Sequence, residues 1–196
     1  MLEIIAKDED ILIRKMEPDE ADFRLFLKWM TDPETMKYWE GMTEHFTYER
    51  VVEHYWEHVE EDVAQCIIEY KEKPIGYCQF CVLNAEYFEV PEELYEQFVK
   101  AEDRVYGIDM FLGEVEWRNQ GLGTRSMKVL MKALFKDYHA DAIMIDPKIH
   151  NTRAIRCYQK AGFQDLFVVP QREQQDGIYH DSLIMGVKKE DSYFEI

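Results

Sequence analysis

Residues 104–138 read RVYGIDMFLGEVEWRNQGLGTRSMKVLMKALFKDY, and this stretch carries the main evidence for the fold. Arg104–Leu112 predicts a strand, Gly113–Gln120 a loop and Gly121–Tyr138 a helix. The apolar residues of that helix recur at intervals of three and four, and they are Met127, Leu130, Met131, Leu134, Phe135 and Tyr138. The sequence therefore predicts a strand, a loop with glycines at its end, and a helix with one apolar face.

The loop and the start of the helix contain Arg118-x-x-Gly121-x-Gly123. A Walker loop needs a lysine after its last glycine, and a dinucleotide fingerprint needs a third glycine where this chain has Ser126, so both are excluded. The unpaired N–H groups at a helix start still favour an anion such as phosphate. Arg118 and Arg125 would add charge-assisted contacts. Taken alone, the motif fits a tight turn with a capped helix better.

The other segments complete a mixed pattern of strands and helices. Further strands are predicted at Ile11–Ile13, Gln65–Tyr70, Ile75–Leu83, Ala142–Ile145, Asp165–Val169 and Ser182–Val187. Further helices are predicted at Asp19–Met30, Thr47–Val59, Pro91–Ala101 and from the cap Asn151 to Ala161, with Gly162 after it. The segment Lys71–Pro74 predicts a hairpin, and Pro33 ends the first helix.

This order predicts an α/β (α+β) fold class, in which helices flank a mixed, mostly antiparallel sheet. We expect a single domain over residues 1–196, with an acidic and aromatic insert at about 84–103 and a C-terminal tail at 188–196. The chain is 46% hydrophobic and 14% aromatic, which is typical of a globular protein. No apolar run is long enough to cross a membrane, so we expect no membrane partner.

The charge and the cysteines limit which partners and which cellular compartment we expect. The formal net charge of −17 makes nucleic acid an unfavourable partner. It fits either a solvated acidic surface or an acidic cleft that attracts a polycation, and charge alone does not choose. We expect no signal peptide, and four cysteines without an export signal predict thiols in the cytoplasm. The expected assembly is a monomer or a homodimer.

A second motif, Asn151-x-x-Ala154-x-x-Cys157-Tyr158-x-x-Ala161-Gly162-Phe163, follows the glycine loop. Together the two motifs resemble the GCN5-related N-acetyltransferase (GNAT) family, which uses acetyl-coenzyme A as cosubstrate. The Arg118–Gly123 stretch resembles the pyrophosphate loop of that family. The Asn151–Phe163 stretch resembles its later motif, which lies beside the coenzyme thiol.

A narrower resemblance extends from about residue 11 to 187. The matching stretches are Trp29–Pro33, Pro74–Gln79, Tyr106–Asp109, Gly121–Thr124, Asp146–Pro147 and Arg153–Phe163. Their order and spacing resemble those of aminoglycoside 6′-N-acetyltransferases, whereas the 84–103 insert and the tail match poorly. The resemblance implies transfer of acetyl to the 6′-amino group of an aminoglycoside, by direct attack in a ternary complex, and antibiotic resistance. The alternatives are another cationic amine as acceptor, or a non-catalytic module that binds coenzyme A or a drug.

The resemblance also assigns roles to individual residues. Asp109 and Tyr158 are expected to be catalytic, as proton acceptor for the amine and as partner of the coenzyme sulfur. The predicted coenzyme contacts are Met110, Phe111, Arg118, Gln120, Gly121, Leu122, Gly123, Thr124, Asn151 and Tyr158. The predicted acceptor contacts are Asp109, Asp146, Gln79, Trp39 and Asp181.

The residues themselves give these assignments different support. Asp109 is a carboxylate inside an apolar strand, so it must face a partner or a cleft. Asp146 follows a strand and precedes a proline, which fits either an amine-binding carboxylate or an Asx turn. Tyr158 also fits a core position, and Trp39 fits packing better than substrate contact.

Two further patterns resemble metal-binding motifs, but the residues around them argue against a metal site. Cys78 and Cys81 are three apart on a predicted strand and therefore face opposite sides, which disfavours a shared zinc or a disulfide. His54 and His58 are four apart on a helix, but Tyr55 stands where a zincin motif requires glutamate. A solvated helix face is the favoured interpretation, and no metal site is expected.

Overall fold

A computed structural model of the chain describes residues 2–88 and 90–192. Within these residues the strands are β1 (Ile4–Asp8), β2 (Ile11–Lys15), β3 (Ala64–Tyr70), β4 (Lys73–Leu83), β5 (Val105–Leu112), β6 (Ala142–Ile145), β7 (Gln164–Gln175) and β8 (Ile178–Lys188). The α-helices are α1 (Glu20–Met30), α2 (Pro33–Met36), α3 (Tyr48–Glu60), α4 (Glu92–Tyr95), α5 (Leu122–Lys136) and α6 (Thr152–Ala161). None of the helices in the described ranges has the length and apolar character that crossing a membrane requires.

The chain folds into two compact units. The first unit is Met1–Phe80 with Asp109–Val129, and the second is Cys81–Ile108 with Leu130–Ile196. The expectation of a single domain over residues 1–196 stays a prediction. Of the predicted tail, residues 193–196 lie outside the described part of the chain.

In the first unit β1, β2, β3 and β4 follow one another as antiparallel neighbours. The hairpin of β3 and β4 is confirmed, but its loop is shorter than predicted. Lys71 and Glu72 have positive φ angles of 50° and 64°, which is the geometry of a type I′ turn. Lys73 and Pro74 therefore belong to β4, and Pro74 is accommodated at a register shift in the pairing with β3. The sequence pattern did not predict β1.

Helices α1, α2 and α3 start at side-chain caps. Asp19 accepts a hydrogen bond from the N–H of Asp22 at the start of α1, and Thr47 caps α3 in the same way. Asp32 caps α2, which places Pro33 at its first position. The apolar faces of α1 and α3 enter a buried core of Met16, Phe23, Phe26, Trp29, Met30, Met36, Phe46, Val51, Tyr55, Ile67 and Tyr77. This core supports the half of β5 that carries Asp109.

In the second unit β5 pairs with β6 in parallel, and β6 and β7 each pair with β8 antiparallel. Strands β7 and β8 are longer than predicted because their ladder continues outward to a turn. Asp176 and Gly177 form that turn with positive φ angles of 53° and 77°. The polar segment that precedes the turn lacks the alternation of a half-buried strand, and only its pairing with β8 makes it a strand.

The insert at residues 84–103 contains less helix than predicted. The expected helix Pro91–Ala101 is wrong in extent, since α4 covers only Glu92–Tyr95. Phe88, Tyr95 and Val99 are each buried in a second core, which also contains Val105 and Ile184. Separate anchoring of aromatic side chains, rather than helical periodicity, therefore fixes the path of this segment.

The expectation of a solvated face at His54 is wrong. His54 is 5% exposed, and its ring lies 5.3 Å from the ring of Phe26 and 5.8 Å from that of Phe46. His58 is half-buried and stacks on His54 at 4.1 Å. Among the described residues no three His, Cys, Asp or Glu side chains are grouped as a metal site. Cys78 is buried and Cys81 is half-buried, and both are thiols.

The buried imidazole makes stability depend on pH. Burial, together with the smaller effects of the charges of His58 and Arg50, lowers the pKa of His54 to about 3. Because the unfolded chain has a pKa near 6.5 at this residue, the unfolded state binds the extra proton below that pH. Stability is therefore lost as the pH falls from 6.5 toward 3, by about 2 kcal/mol at pH 5.

We expect His54→Phe to remove this part of the pH dependence while keeping a ring against Phe26 and Phe46. The free energy of unfolding, measured by urea denaturation at pH 7.5 and pH 5, should fall by about 2 kcal/mol less in the variant than in the wild type. His45→Phe, at an exposed position, is the matched control. Equal pH dependence in His54→Phe and the wild type would show that this imidazole titrates normally.

Candidate active site

The side chain of Asp109 is held on β5 by a relay of hydrogen bonds within the first unit. Gln79 on β4 donates from Nε2 to Oδ2 of Asp109 at 3.0 Å. Tyr77 donates its hydroxyl to Oε1 of Gln79 at 2.9 Å, which fixes the orientation of the amide. Burial raises the pKa of Tyr77 well above its usual value, so the phenol keeps its proton and remains the donor. The relay therefore orients a half-buried carboxylate.

Aromatic rings pack beside Tyr77 of this relay. Phe111 lies 4.8 Å from the ring of Trp39, 5.6 Å from that of Tyr77 and 5.8 Å from that of Trp29. The partly buried side chain of Phe111 thus packs against the core, and its contact with the coenzyme stays a prediction. Trp39 is half-buried in this cluster, and its contact with an acceptor stays a prediction.

Arg118 is fixed inside the first unit. Its Nε donates to the carbonyl of Leu112 at 2.8 Å, and its Nη2 lies 2.9 Å from Oγ1 of Thr35 and 3.2 Å from the carbonyl of Gly113. The same Nη2 pairs with Asp32 at 3.2 Å, and the Arg118 side chain is only 8% exposed. The guanidinium therefore joins the start of α2 to the end of β5. Its predicted phosphate contact stays a prediction, and the side chain already has acceptors within the protein.

The chain reaches α5 through a turn that favours glycine. Gly121 has a φ of 79°, and beyond its chain neighbours no atom of the described residues lies within 4 Å of the position that a Cβ would occupy. The first N–H groups of α5, from Leu122 and Gly123 onward, have no acceptor in the preceding turn of the helix. Gln120 donates to the carbonyl of Glu116 and so shapes the loop. This arrangement fits an anionic diphosphate at the helix N-terminus.

Arg125, the second predicted phosphate contact, also has partners within the first unit. Its Nη2 lies 2.6 Å from Oδ1 of Asp10, and its guanidinium lies 6.0 Å from the ring centre of Tyr70. The N-terminus of α5 offers backbone N–H groups for an anion, and the phosphate contact of Arg125 stays a prediction. Sequence reasoning did not identify Asp10, because no local pattern connects the turn between β1 and β2 with α5.

In the second unit the predicted coenzyme residues lie on α6. Asn151 accepts a hydrogen bond from the N–H of Ala154 at 3.2 Å and caps the helix, and Gly162 ends it with a φ of 116°. Tyr158 is 6% exposed, and its ring lies 6.0 Å from that of Phe163. The capped helix and its glycine stop are confirmed, and the role of Tyr158 toward the sulfur stays a prediction.

Asp146 follows β6 and is paired with Arg172. Nη1 of Arg172 lies 2.6 Å from Oδ2 of Asp146, with side-chain exposures of 10% and 11%. Nη2 of Arg172 donates to the carbonyl of Tyr87 at 3.0 Å, and the guanidinium lies over the rings of Tyr87 and Phe88. The Nε of Arg172 is buried without a hydrogen-bond partner among the described residues. Sequence reasoning missed this arginine because it lies in a polar stretch far from Asp146.

Asp181 is occupied by local structure. Its Oδ1 accepts a hydrogen bond from the N–H of Gln171 at 2.9 Å, at the register shift within the pairing of β7 and β8. Close by in sequence, Glu173 pairs with the buried Lys148 at 2.6 Å and accepts from the hydroxyl of Ser182 at 3.0 Å. The structure therefore groups Asp109, Gln79 and Trp39 in the first unit, and it places Asp146 and Asp181 in the second with partners of their own.

Comparisons with known proteins identify the family of this chain. The family model for the acetyltransferase (GNAT) domain matches residues 19–169. The aminoglycoside N(6′)-acetyltransferase type 1 of Klebsiella pneumoniae is 31% identical over 163 residues, which cover 82% of this chain and 77% of that protein. Aminoglycoside acetyltransferase AAC(6′)-Ib, solved in complex with coenzyme A and kanamycin, aligns with a TM-score of 0.74 at 26% identity, covering 92% of this chain and 96% of that one. Its complex with ribostamycin and coenzyme A aligns at 0.76 and 25%, over 96% and 100%.

The chain therefore belongs to the GNAT acetyltransferase family. The resemblance to aminoglycoside 6′-N-acetyltransferases within that family is confirmed as well. The predicted fold class, an α/β fold with a mixed and mostly antiparallel sheet, is also confirmed, since β5 pairs with β6 in parallel while β1 with β2, β2 with β3, β3 with β4, and β8 with both β6 and β7 pair antiparallel.

Proposed function

We propose that the protein transfers acetyl from acetyl-coenzyme A to the 6′-amino group of an aminoglycoside. The observation that carries this proposal is the oriented carboxylate of Asp109, which Gln79 holds on β5 at 3.0 Å. The relatives support the substrate, because they are named for 6′-acetylation or were solved with kanamycin and ribostamycin. A cytoplasmic location belongs to the same proposal and is supported by the four cysteine thiols.

Each predicted catalytic residue then has a defined task. Acetyl-coenzyme A supplies the activated acetyl group as a thioester. The N-terminus of α5 would hold its diphosphate, and the backbone of β5 would bind its amide-containing arm as an additional strand does. Asp109 would bind the acceptor ammonium and take its proton, so that the neutral amine attacks. Tyr158 would give a proton to the departing sulfur.

A thiol-release assay tests the proposal directly. With acetyl-coenzyme A we expect turnover on kanamycin-type compounds that carry a 6′-amino group, and none on analogues that carry a 6′-hydroxyl. Alkyl polyamines and short peptides serve as alternative acceptors in the same assay. Release of thiol with polyamines or peptides alone would reject the aminoglycoside assignment and leave a GNAT acetyltransferase for another amine.

The ion pair between Asp146 and Arg172 leads to a second prediction. If Asp146 binds an acceptor ammonium, the acceptor must replace the guanidinium that lies 2.6 Å away. The guanidinium is then an internal competitor, and the apparent affinity for the acceptor is the intrinsic affinity multiplied by the fraction of molecules in which the carboxylate is available. We therefore expect Arg172→Gln to lower the KM for aminoglycoside by about threefold or more, as measured in the thiol-release assay.

Arg156→Gln is the matched control, because Arg156 is an exposed arginine on α6 in the same unit. It removes the same charge and should leave the KM for aminoglycoside unchanged. An unchanged KM in a folded Arg172→Gln variant would mean that Asp146 does not contact the acceptor.

A further inference from the structure

A pocket on α3 in the first unit has no part in the proposed acetyl transfer. Its volume is about 450 Å³, and it shares no residue with the predicted coenzyme and acceptor contacts. Arg50, His54, Glu57, His58 and Glu61 line it from one side, with the spacing of a single helix face. The segment before α3 contributes the opposite side.

The floor of the pocket contains a buried imidazole without a hydrogen bond. His54 is 5% exposed, lines the pocket, and neither of its ring nitrogens has a hydrogen-bond partner in the described part of the chain. Its low pKa, which burial causes, keeps the ring neutral at physiological pH, so one ring nitrogen is an acceptor. Neither ring nitrogen is among the fully buried polar atoms without a partner in the described residues, so both are accessible from the pocket, where a ligand can donate to the acceptor.

His58 adds a second acceptor beside the first. Its Nδ1–H donates to the carbonyl of His54 at 2.9 Å, so in the neutral ring Nε2 is left as an acceptor. The two rings stack at 4.1 Å, and in the described ranges their nitrogens are not grouped with carboxylates as a metal site would require. The pair therefore suits N–H donors of a ligand better than a coordinated metal ion.

The charges of the pocket select a cation with more than one ammonium group. Glu40, Glu44, Glu57 and Glu61 line it together with the guanidinium of Arg50. Arg50 pairs with Glu57 at 2.8 Å, so the pocket retains an excess of carboxylates. Phe46 contributes an apolar wall, against which an alkyl chain between two ammonium groups would pack.

We propose that this α3 pocket binds an organic diammonium ion, with one ammonium group donating to the imidazoles and the carboxylates binding the other. The site is separate from Asp109, because the core rings of Phe26 and Tyr77 lie between them. The alkyl diamines and the aminoglycosides both supply such ammonium groups. The proposal concerns ligand binding alone, so it does not depend on whether the protein transfers acetyl.

Calorimetric titration of the full chain with 1,4-diaminobutane tests the proposal. We expect saturable binding that becomes about tenfold weaker in Glu57→Gln/Glu61→Gln and in His54→Phe. Glu53→Gln/Glu60→Gln is the matched control, because it removes two charges from the same helix at exposed positions outside the pocket lining. The control should bind like the wild type. Thiol release measured on the same variants keeps this result distinct from the proposed acetyl transfer.

Two further titrations identify the source of the ammonium groups. If kanamycin competes with 1,4-diaminobutane, and Glu57→Gln/Glu61→Gln weakens both, the pocket binds either class of diammonium ligand and the proposal stands. If magnesium chloride at the same concentration displaces the diamine, the pocket only attracts cations and the proposal is wrong. It is equally wrong if the control variant loses as much affinity as the pocket variants do.

Discussion

Replacing Asp109 by asparagine is expected to lower kcat/KM for aminoglycoside acetylation by about two to four orders of magnitude. Asparagine has the same shape and still accepts the hydrogen bond from Nε2 of Gln79, which is 3.0 Å from the carboxylate in the wild type. What it removes is the negative charge that attracts the ammonium and the oxygen that takes its proton. The loss should therefore appear in turnover at saturating acetyl-coenzyme A, while the melting temperature stays close to that of the wild type.

The pH profile separates this role from a structural one. In the wild type kcat/KM should rise with pH as the carboxyl of Asp109 and the acceptor ammonium lose their protons, and the carboxyl should be missing from the profile of Asp109→Asn. Tyr77→Phe is the companion variant, since it removes only the hydroxyl that orients Gln79 and should cost about tenfold. Full activity of Asp109→Asn at every pH would exclude Asp109 as the proton acceptor.

Much of this arrangement follows from local sequence. The strand, loop and helix at residues 104–138 have patterns that their own residues determine, and the caps Asp19, Thr47 and Asn151 hold the helix starts where short-range chemistry places them. Asp109 was identifiable because a carboxylate within an apolar strand requires a partner. The i, i+2 relation of Tyr77 and Gln79 also places both on one face of β4, and that signal was available in the sequence.

What the sequence did not reveal depends on contacts between distant segments. No local pattern pairs Asp146 with Arg172, or Asp32 with Arg118, because strands and helices separate them in the chain. His54 looked solvated because its neighbours in sequence are polar, although its position between Val51 and Tyr55 borders the apolar face of α3. The helix predicted in the insert at 84–103 was too long for the same reason. Burial of aromatic side chains against residues distant in sequence outweighs helix propensity there.

Arg118→Met is expected to have the second large effect, on stability and on coenzyme binding together. The guanidinium binds the carbonyls of Leu112 and Gly113 on one side and Thr35 on the other, and methionine removes the donor that these three acceptors share. Burial raises the pKa of Asp32, but the hydrogen bonds from Thr35 and Arg118 outweigh it and lower the pKa overall. Because a half-buried carboxylate loses its charged partner, the free energy of unfolding should fall by about 3 kcal/mol.

The expected effect on coenzyme binding follows from the positions of the two carbonyl acceptors. The carbonyls of Leu112 and Gly113 end β5 and begin the loop that leads to α5, so their release loosens the approach to the helix N-terminus. The KM for acetyl-coenzyme A should rise about tenfold, and kcat with saturating substrates should change much less. Arg118→Lys keeps the charge but not the planar guanidinium that reaches several acceptors at once. Its free energy of unfolding and its KM for acetyl-coenzyme A should therefore lie between those of the wild type and of Arg118→Met. A stable Arg118→Met variant with an unchanged KM would show that the loop holds its conformation without this side chain.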